Sequence, residues 1–239
     1  MPVRICILET DILVPELAEL YEGYGAMFIR LFAQVPEPVE CTVFNVVEGD
    51  YPSDDMQFDA YLVTGSKADS FADDPWILRL KTYVQERYAR GDKLLGICFG
   101  HQLLALALGG IAERAKTGWG LGVQRFEVAQ GFSWQNPPLQ EVTLIVSHQD
   151  QVTALPPTAQ CLAYSRYCPN AAFVVGDQVL CFQGHPEFVA DYANRLLIRR
   201  QSAFSAEQYE TAVASLEQPH QGELIAQWMV NFAAEPRKH

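Results

Sequence analysis

The sequence predicts an α/β fold, with a mainly parallel central sheet flanked by helices and an antiparallel extension. Three observations support this prediction. The 239 residues are 49% hydrophobic and 19% charged, enough apolar material for the core of one large domain. Short apolar runs alternate with helical segments in the first half, as in an α/β sandwich. Strand candidates in the second half have few helices between them, which favours antiparallel pairing.

The first half of the chain contains four predicted strands. Residues 3–8 form a short run rich in apolar and β-branched side chains, typical of a strand buried on both faces. The other three are predicted over residues 40–47, 58–64 and 93–97.

Helices are predicted between these strands. An amphipathic stretch covers residues 15–33 and is interrupted by two glycines. Pro75 stands in the first turn of the next helix and Gly91 closes it, because proline fits a helix start and glycine a helix end. A further helical run starts at Phe99 and is capped by a glycine pair.

The second half supplies the strands of the antiparallel extension. They are predicted over residues 123–129, 141–147, 161–164, 172–175 and 178–183. From Phe188 the chain turns helical, with a break near residues 218–222. No stretch resembles an interdomain linker. We therefore expect one α/β domain over residues 1–200 and a helical C-terminal extension, residues 201–239, packed on the same domain.

The charge and the cysteines of the chain limit its expected partners and location. Seventeen basic and 29 acidic residues give a formal charge of −12, which repels phosphate backbones and anionic lipid surfaces. We therefore expect neither nucleic acid nor a membrane surface as a partner. A membrane span is also not expected, because the longest uncharged apolar stretch, residues 103–112, is far below the ~20 residues that a span requires. The six cysteines include no CxxC pair, and the N-terminus does not resemble a signal peptide. These features predict a cytoplasmic protein with reduced thiols, no metal and no cofactor.

The sharpest local signal is Gly96-Ile97-Cys98-Phe99-Gly100, between a predicted strand and a predicted helix. This pattern is typical of a nucleophile elbow, in which small flanking residues let neighbouring backbone approach. The thiol would sit at a helix N-terminus, which favours the reactive thiolate, and the N–H of Phe99 would point towards an oxyanion beside the sulfur. The alternative is that Cys98 is an ordinary buried core cysteine.

A second motif, Gly184-His185-Pro186-Glu187, ends the last predicted strand. A thiol enzyme needs a base and acid for the thiol and leaving-group protons, and a group that orients the imidazole. His185 and Glu187 can supply both from one loop. An isolated HPE tripeptide would more often be a loop histidine beside a solvated carboxylate. However, both motifs lie at predicted carboxyl ends of strands, the edge where open α/β sheets build their sites.

Together, GICFGHQ at residues 96–102 and GHPE at residues 184–187 resemble the class I (triad-type) glutamine amidotransferase family. The resemblance covers most of the chain and implies a flavodoxin-like three-layer sandwich. It implies that Cys98 is the nucleophile, His185 the base and Glu187 its orienting carboxylate.

The same resemblance implies the surrounding contacts. Gln102 would contact the bound glutamyl group, and the backbone at Gly65 would join that of Phe99 in the oxyanion hole. Ser147, His148 and Gln149 resemble the loop that lines the glutamyl pocket. Residues 64–67 read TGSK where many members that feed a synthetase have Gly-Gly-Pro. The chain is most similar to the stand-alone branch, which includes plant γ-glutamyl peptidases and bacterial GMP synthetase-like proteins.

The expected function is hydrolysis of a γ-glutamyl amide bond through a γ-glutamyl thioester on Cys98. The substrate would be a small molecule, glutamine or a γ-glutamyl peptide. Two alternatives remain open: a glutaminase subunit that supplies ammonia to a separate synthetase, and a non-catalytic binder of glutamyl metabolites. The sequence leaves the leaving group, the pathway and the oligomeric state open.

Overall fold

The computed structural model describes residues 1–129 and 131–236. These residues form a nine-stranded sheet, a two-stranded sheet and seven α-helices. The strands are β1 (Val3–Glu9), β2 (Val39–Asn45), β3 (Ala60–Val63), β4 (Leu94–Ile97), β5 (Ile111–Arg114), β6 (Gly120–Val128), β7 (Glu141–His148), β8 (Asp150–Ala154), β9 (Gln160–Tyr164), β10 (Ala172–Val175) and β11 (Val179–Phe182). The helices are α1 (Pro15–Tyr21), α2 (Tyr24–Phe32), α3 (Pro75–Ala89), α4 (Phe99–Ala107), α5 (Ala190–Arg199), α6 (Ala206–Ser215) and α7 (Gly222–Ala234).

The large sheet has the order β2-β1-β3-β4-β11-β10-β9-β6-β7. Its first five strands are parallel to one another. The strands from β10 onward pair antiparallel with their neighbours. This arrangement confirms the predicted fold class, a mainly parallel sheet with an antiparallel extension.

Both faces of the sheet are buried, and β1 shows how the sequence specifies this. Ile5 and Ile7 face a core shared with α2 and α7, whereas Cys6 and Leu8 face a core shared with α3 and α4. Because successive side chains of a strand point to opposite faces, a continuous apolar run fills both cores. The sheet is therefore the middle layer of three.

The amphipathic stretch of residues 15–33 is two helices instead of one. Gly23 is extended between α1 and α2, and an added Cβ there would lie 2.4 Å from Oε1 of Glu9. The same carboxylate accepts a hydrogen bond of 2.8 Å from the backbone N–H of Gly25. An acceptor at the start of α2 satisfies one of the orphan donors of its first turn, so the second helix restarts there.

Two strands were not predicted, β5 and β8, which pair antiparallel as the small sheet. Their sequences, IAER and DQVTA, lack the apolar runs that identified the other strands. The strands of the large sheet were all predicted, with ends shifted by up to three residues.

The C-terminal helix α7 lies in the main core. Trp228 and Met229 are among its buried residues, and Lys93, at the start of β4, is also buried. The ammonium of Lys93 donates hydrogen bonds to the backbone oxygens of Phe232 (2.5 Å) and Glu235 (2.6 Å). A cation at this end of α7 satisfies its last carbonyls and complements its dipole. Residues 237–239, the end of the expected extension, lie outside the described residues.

Two further features of the described part of the chain concern its helices and its cysteines. None of its helices is long and apolar enough to cross a membrane. All six cysteines are free thiols.

Candidate active site

The two sequence motifs and the expected oxyanion segment meet at one edge of the sheet. Strands β3, β4 and β11 are adjacent and parallel, so their carboxyl ends lie side by side. Gly65 follows β3, Cys98 follows β4 directly, and His185 follows β11. Residues that are far apart in the sequence are thus brought together by strand order alone.

Cys98 occupies a sharp turn between β4 and α4. Its φ is 51° and its ψ is −100°, a conformation rarely adopted by residues other than glycine. The glycines on either side are required by close backbone contacts. A Cβ at Gly100 would lie 2.2 Å from the carbonyl oxygen of Val63, and one at Gly96 would lie 2.7 Å from that of Gly100. The geometry is that of a nucleophile elbow at a helix N-terminus.

His185 and Glu187 form a buried pair beside the thiol. Nδ1 of His185 lies 2.8 Å from Oε1 of Glu187, and both residues are at most 5% exposed. The Cys98 side chain is also close enough to the imidazole to influence its pKa. Burial lowers the pKa of His185, but the opposing charges of Glu187 and Cys98 dominate and raise it to about 10. The imidazolium is therefore the favoured form at neutral pH.

The imidazole of His185 is held in place by packing against its ring face and its Cε1 atom. Phe188 stacks on it with ring centroids 3.8 Å apart and an interplanar angle of 10°. Tyr192 packs edge-on against Phe188 at 4.7 Å. A Cβ at Gly65 would lie only 2.8 Å from Cε1 of His185, so the backbone after β3 touches the ring. These contacts leave the imidazole little freedom to turn.

Two backbone N–H groups near the ends of β3 and β4 have no hydrogen-bond acceptor among the described residues. Within the described part of the chain, the N–H groups of Gly65 and Phe99 donate no hydrogen bond. The strand end that carries Gly65 is fixed by Thr10, whose hydroxyl donates to the carbonyl oxygen of Gly65 at 2.8 Å and lies 2.9 Å from the hydroxyl of Thr64. Unpaired N–H groups held in place in this way can stabilise an oxyanion.

The residues expected to hold the glutamyl group line the same cleft. Gln102 donates through Nε2 to the backbone oxygen of Asp150 at 2.9 Å and to Oε1 of Gln183 at 3.2 Å. Nδ1 of His148 lies 3.0 Å from the same backbone oxygen of Asp150, and burial lowers the pKa of His148 to about 4. The side chains of Ser147 and Gln149 are tied to Arg200 and Arg114, respectively, at 3.0 and 2.8 Å.

The cleft has a volume of about 450 Å³, and Cys98, Phe99 and Gln102 lie in its wall. Four basic and three acidic side chains line it, in a chain of formal charge −12. They are Lys67, Arg114, Arg199 and Arg200, and Asp11, Asp69 and Asp150. The cleft therefore carries more positive charge than the rest of the molecule.

Sequence reasoning missed three contacts of the site. The amide of Gln183 donates to Sγ of Cys98 at 3.5 Å, and Phe188 stacks on the imidazole of His185. Arg200 reaches the cleft from the end of α5. Gln183 and Phe188 immediately flank the GHPE motif, and this proximity was an available signal. Arg200 had no comparable signal.

No group of three or more His, Cys, Asp or Glu side chains is placed to hold a metal ion within residues 1–129 and 131–236.

The chain matches a family of known sequences and two plant proteins. The family described as "Glutamine amidotransferase class-I" matches residues 21–202. Gamma-glutamyl peptidase 3 of Arabidopsis thaliana is 33% identical over 176 residues, covering 70% of each chain. Gamma-glutamyl peptidase 4 of the same plant is 34% identical, covering 72% of this chain and 70% of its own.

One further sequence and one solved structure match over 88% or more of this chain. The glutamine amidotransferase-like protein chry6 of Gibberella zeae is 27% identical over 216 residues, 88% of each chain. The crystal structure of a glutamine amidotransferase from Thermotoga maritima superposes with a TM-score of 0.78 at 18% identity. It covers 98% of this chain and 100% of its own.

Proposed function

Because the chain belongs to the class I glutamine amidotransferase family, we propose that it hydrolyses γ-glutamyl amide bonds through a γ-glutamyl thioester on Cys98. One observation carries the proposal. The thiol at the strained elbow follows β4, and His185 follows the neighbouring parallel strand β11, with its Nδ1 2.8 Å from Oε1 of Glu187. A nucleophile, a base and an orienting carboxylate in one buried chain of contacts form a catalytic triad.

In the first step, the Cys98 thiolate attacks the γ-carbonyl carbon of the substrate. The electron pair of the C=O bond moves to oxygen, and this oxyanion accepts hydrogen bonds from the N–H groups of Phe99 and Gly65. When the tetrahedral intermediate collapses, the C–N bond breaks and the departing amine takes a proton from the His185 imidazolium. The product is a γ-glutamyl thioester.

In the second step, water attacks the thioester carbonyl while neutral His185 accepts its proton. The C–S bond then breaks, which releases glutamate and restores the thiolate–imidazolium pair. Glu187 keeps the imidazole in one orientation and stabilises its charge in both steps. Gln102 and the backbone of residues 147–149 would hold the amino-acid end of the glutamyl group.

The leaving group distinguishes a glutaminase from a γ-glutamyl peptidase. A relative from Saccharomyces cerevisiae, 34% identical over 220 residues, carries the name "Putative glutamine amidotransferase", which keeps glutamine as an alternative substrate. Two relatives at 33% and 34% identity carry the name gamma-glutamyl peptidase, which favours an amino acid or peptide as the leaving group. We therefore propose that the chain works as a stand-alone peptidase in the cytoplasm.

The test is to incubate the purified protein with glutathione and, separately, with glutamine, and to measure released glutamate and ammonia. Glutamate from glutathione is the expected result, with little ammonia from glutamine. Cys98→Ala should abolish turnover without unfolding the chain. Cys161→Ala, at a half-buried cysteine in β9, is the matched control and should retain it.

The other outcomes each overturn part of the proposal. Ammonia from glutamine as the main product would identify a glutaminase, and activity retained in Cys98→Ala would refute the mechanism. Inactivity on both substrates, with Cys98 alkylated no faster than Cys161, would indicate a non-catalytic binder.

A further inference from the structure

The wall of the cleft on the side of His185 is one face of α5. Tyr192, Leu196, Arg199 and Arg200 line the cleft at helical spacing. Tyr192 packs against Phe188, which stacks on the imidazole of His185. The face therefore starts beside the proposed general acid and runs outward to Arg200.

The departing amine must lie within reach of His185, because this residue gives it a proton. The rest of the leaving group then extends along the α5 face. We place the glutamyl half against Gln102 and the backbone of residues 147–149, so that the side chain of Ser147, which Arg200 contacts, marks the border between the two halves of the substrate. The distance along the helix axis from Tyr192 to Arg200 is about 12 Å, at 1.5 Å per residue. Arg200 follows the last residue of α5, and its side chain lines the cleft.

Arg200 differs from the other basic residues of the cleft in its partners. Lys67 pairs with Asp11 at 2.8 Å, and Arg114 pairs with Asp150 at 2.5 Å and Asp69 at 3.3 Å. Within residues 1–129 and 131–236, Arg200 forms no ion pair with a carboxylate.

Two neutral contacts nevertheless hold the guanidinium of Arg200 in place. Nη1 donates to the hydroxyl of Ser147 at 3.0 Å, and Cζ lies 5.9 Å from the ring centroid of Trp119. Trp119 is itself fixed by edge-on packing against Phe204 at 5.2 Å. A half-buried, positioned guanidinium with unused donors suits a carboxylate, which it can bind through two parallel hydrogen bonds.

We propose that Arg200 binds the carboxylate of the leaving amino acid or peptide and so selects γ-glutamyl peptides over glutamine and over neutral γ-glutamyl amides. This inference rests on the proposed γ-glutamyl hydrolase function and names the substrate class of the same site. Ammonia, the leaving group of glutamine, has no carboxylate and gains nothing from Arg200.

The experiment compares substrates that differ only in the terminal carboxylate. γ-Glutamylglycine and S-methylglutathione are each paired with their C-terminal carboxamide. For the wild type, kcat/KM for at least one acid should exceed that for its amide by about tenfold to a hundredfold, the range for one charge-assisted hydrogen bond. In Arg200→Ala this ratio should fall to near one, and Arg200→Lys should retain part of it.

Arg195→Ala is the matched control. Arg195 is on the same helix, is exposed, lies outside the cleft wall, and pairs with Asp191 at 2.9 Å. Its variant loses one positive charge from α5 and should keep the wild-type ratio. A ratio that falls equally in both variants would reveal a general field effect and overturn the assignment.

Two other results would also overturn it. If the wild type does not discriminate between any acid and its amide, no leaving-group carboxylate is bound. If Arg200→Ala lowers kcat/KM for acid and amide by the same factor, Arg200 holds the glutamyl half or supports the fold.

A binding measurement separates this proposal from the hydrolase proposal. In Cys98→Ala, calorimetry should show tighter binding of the acid than of the amide, and Cys98→Ala/Arg200→Ala should lose the difference. If the wild type hydrolyses nothing but this difference is present, the hydrolase proposal fails and the carboxylate site stands. If the wild type hydrolyses both substrates but the difference is absent, the carboxylate site fails alone.

Discussion

A methyl group added at Gly65 should impair catalysis by displacing the His185 imidazole. The Cβ of Gly65→Ala would lie 2.8 Å from Cε1 of His185 and 3.4 Å from Cε1 of Tyr24. Carbon atoms normally approach to about 3.5–4.0 Å, so the imidazole would have to move by roughly 0.7–1.2 Å. The Phe188 stack at 3.8 Å and the Glu187 contact at 2.8 Å oppose this movement.

A misplacement of about 1 Å at a reacting group can lower the rate on the order of 100-fold. We therefore expect kcat of Gly65→Ala to fall by roughly 30- to 100-fold, with an overpacking cost of about 1–3 kcal/mol in the free energy of unfolding. The assays are glutamate release from a γ-glutamyl peptide and urea unfolding. The pH dependence of Cys98 alkylation by iodoacetamide reports the thiolate–imidazolium pair without any substrate.

Gly176→Ala is the control for glycine substitution as such. Gly176 has a φ of +53° and no atom within 4 Å of an added Cβ, and it lies in the turn between β10 and β11. This variant should lose about 1 kcal/mol of stability from backbone strain and keep the wild-type kcat. A Gly65→Ala protein with wild-type kcat and an unchanged alkylation profile would refute the reasoning.

Three further predictions concern charge, strain and the C-terminal helix. Glu187→Gln removes the carboxylate charge that raises the pKa of His185, so the inflection in the pH profile of the Cys98 alkylation rate should move to lower pH. An inflection at the wild-type pH would contradict this prediction. The raised pKa also links stability to pH, because its contribution is complete below about 6.5 and lost as pH rises through about 10. The wild-type free energy of unfolding should fall over that window more steeply than that of Glu187→Gln. Cys98→Gly should be more stable than Cys98→Ala by about 1 kcal/mol in urea unfolding, because glycine adopts a φ of 51° without strain. Equal stabilities of the two variants would show that the backbone at position 98 stores no strain. Lys93→Met should lower the free energy of unfolding by about 2–3 kcal/mol, because it leaves carbonyl groups at the end of α7 unpaired. Its kcat should be unchanged below the melting temperature. An unaltered melting curve would show that α7 does not need this donor.

The sequence predicted those features of the fold that local patterns encode. Apolar runs identified all nine strands of the large sheet, because a strand buried on both faces has few polar residues. The pair β5 and β8 was missed, since IAER and DQVTA have no such run and are strands only because they pair with each other.

The candidate site was predictable to the extent that its residues occur in contiguous motifs. The elbow around Cys98 requires glycines at fixed spacing, and the structure shows the backbone contacts that require them. The proximity of Cys98 to His185 follows from the pairing of β4 with β11, which no local pattern encodes. The contacts of Arg200 depend on where α5 docks, so only the folded structure reveals them.

The pairing of β4 with β11 also has a consequence for how the chain acquires reactivity. Six strands, β5 to β10, lie in the sequence between β4 and β11, the strands that precede Cys98 and His185. Contacts between residues so distant in sequence form late, because loop closure must precede them. The imidazole therefore reaches the sulfur only when the antiparallel extension has folded back and β11 has been inserted between β4 and β10. Until then Cys98 is an ordinary thiol, so its alkylation rate during refolding should report the completion of the sheet.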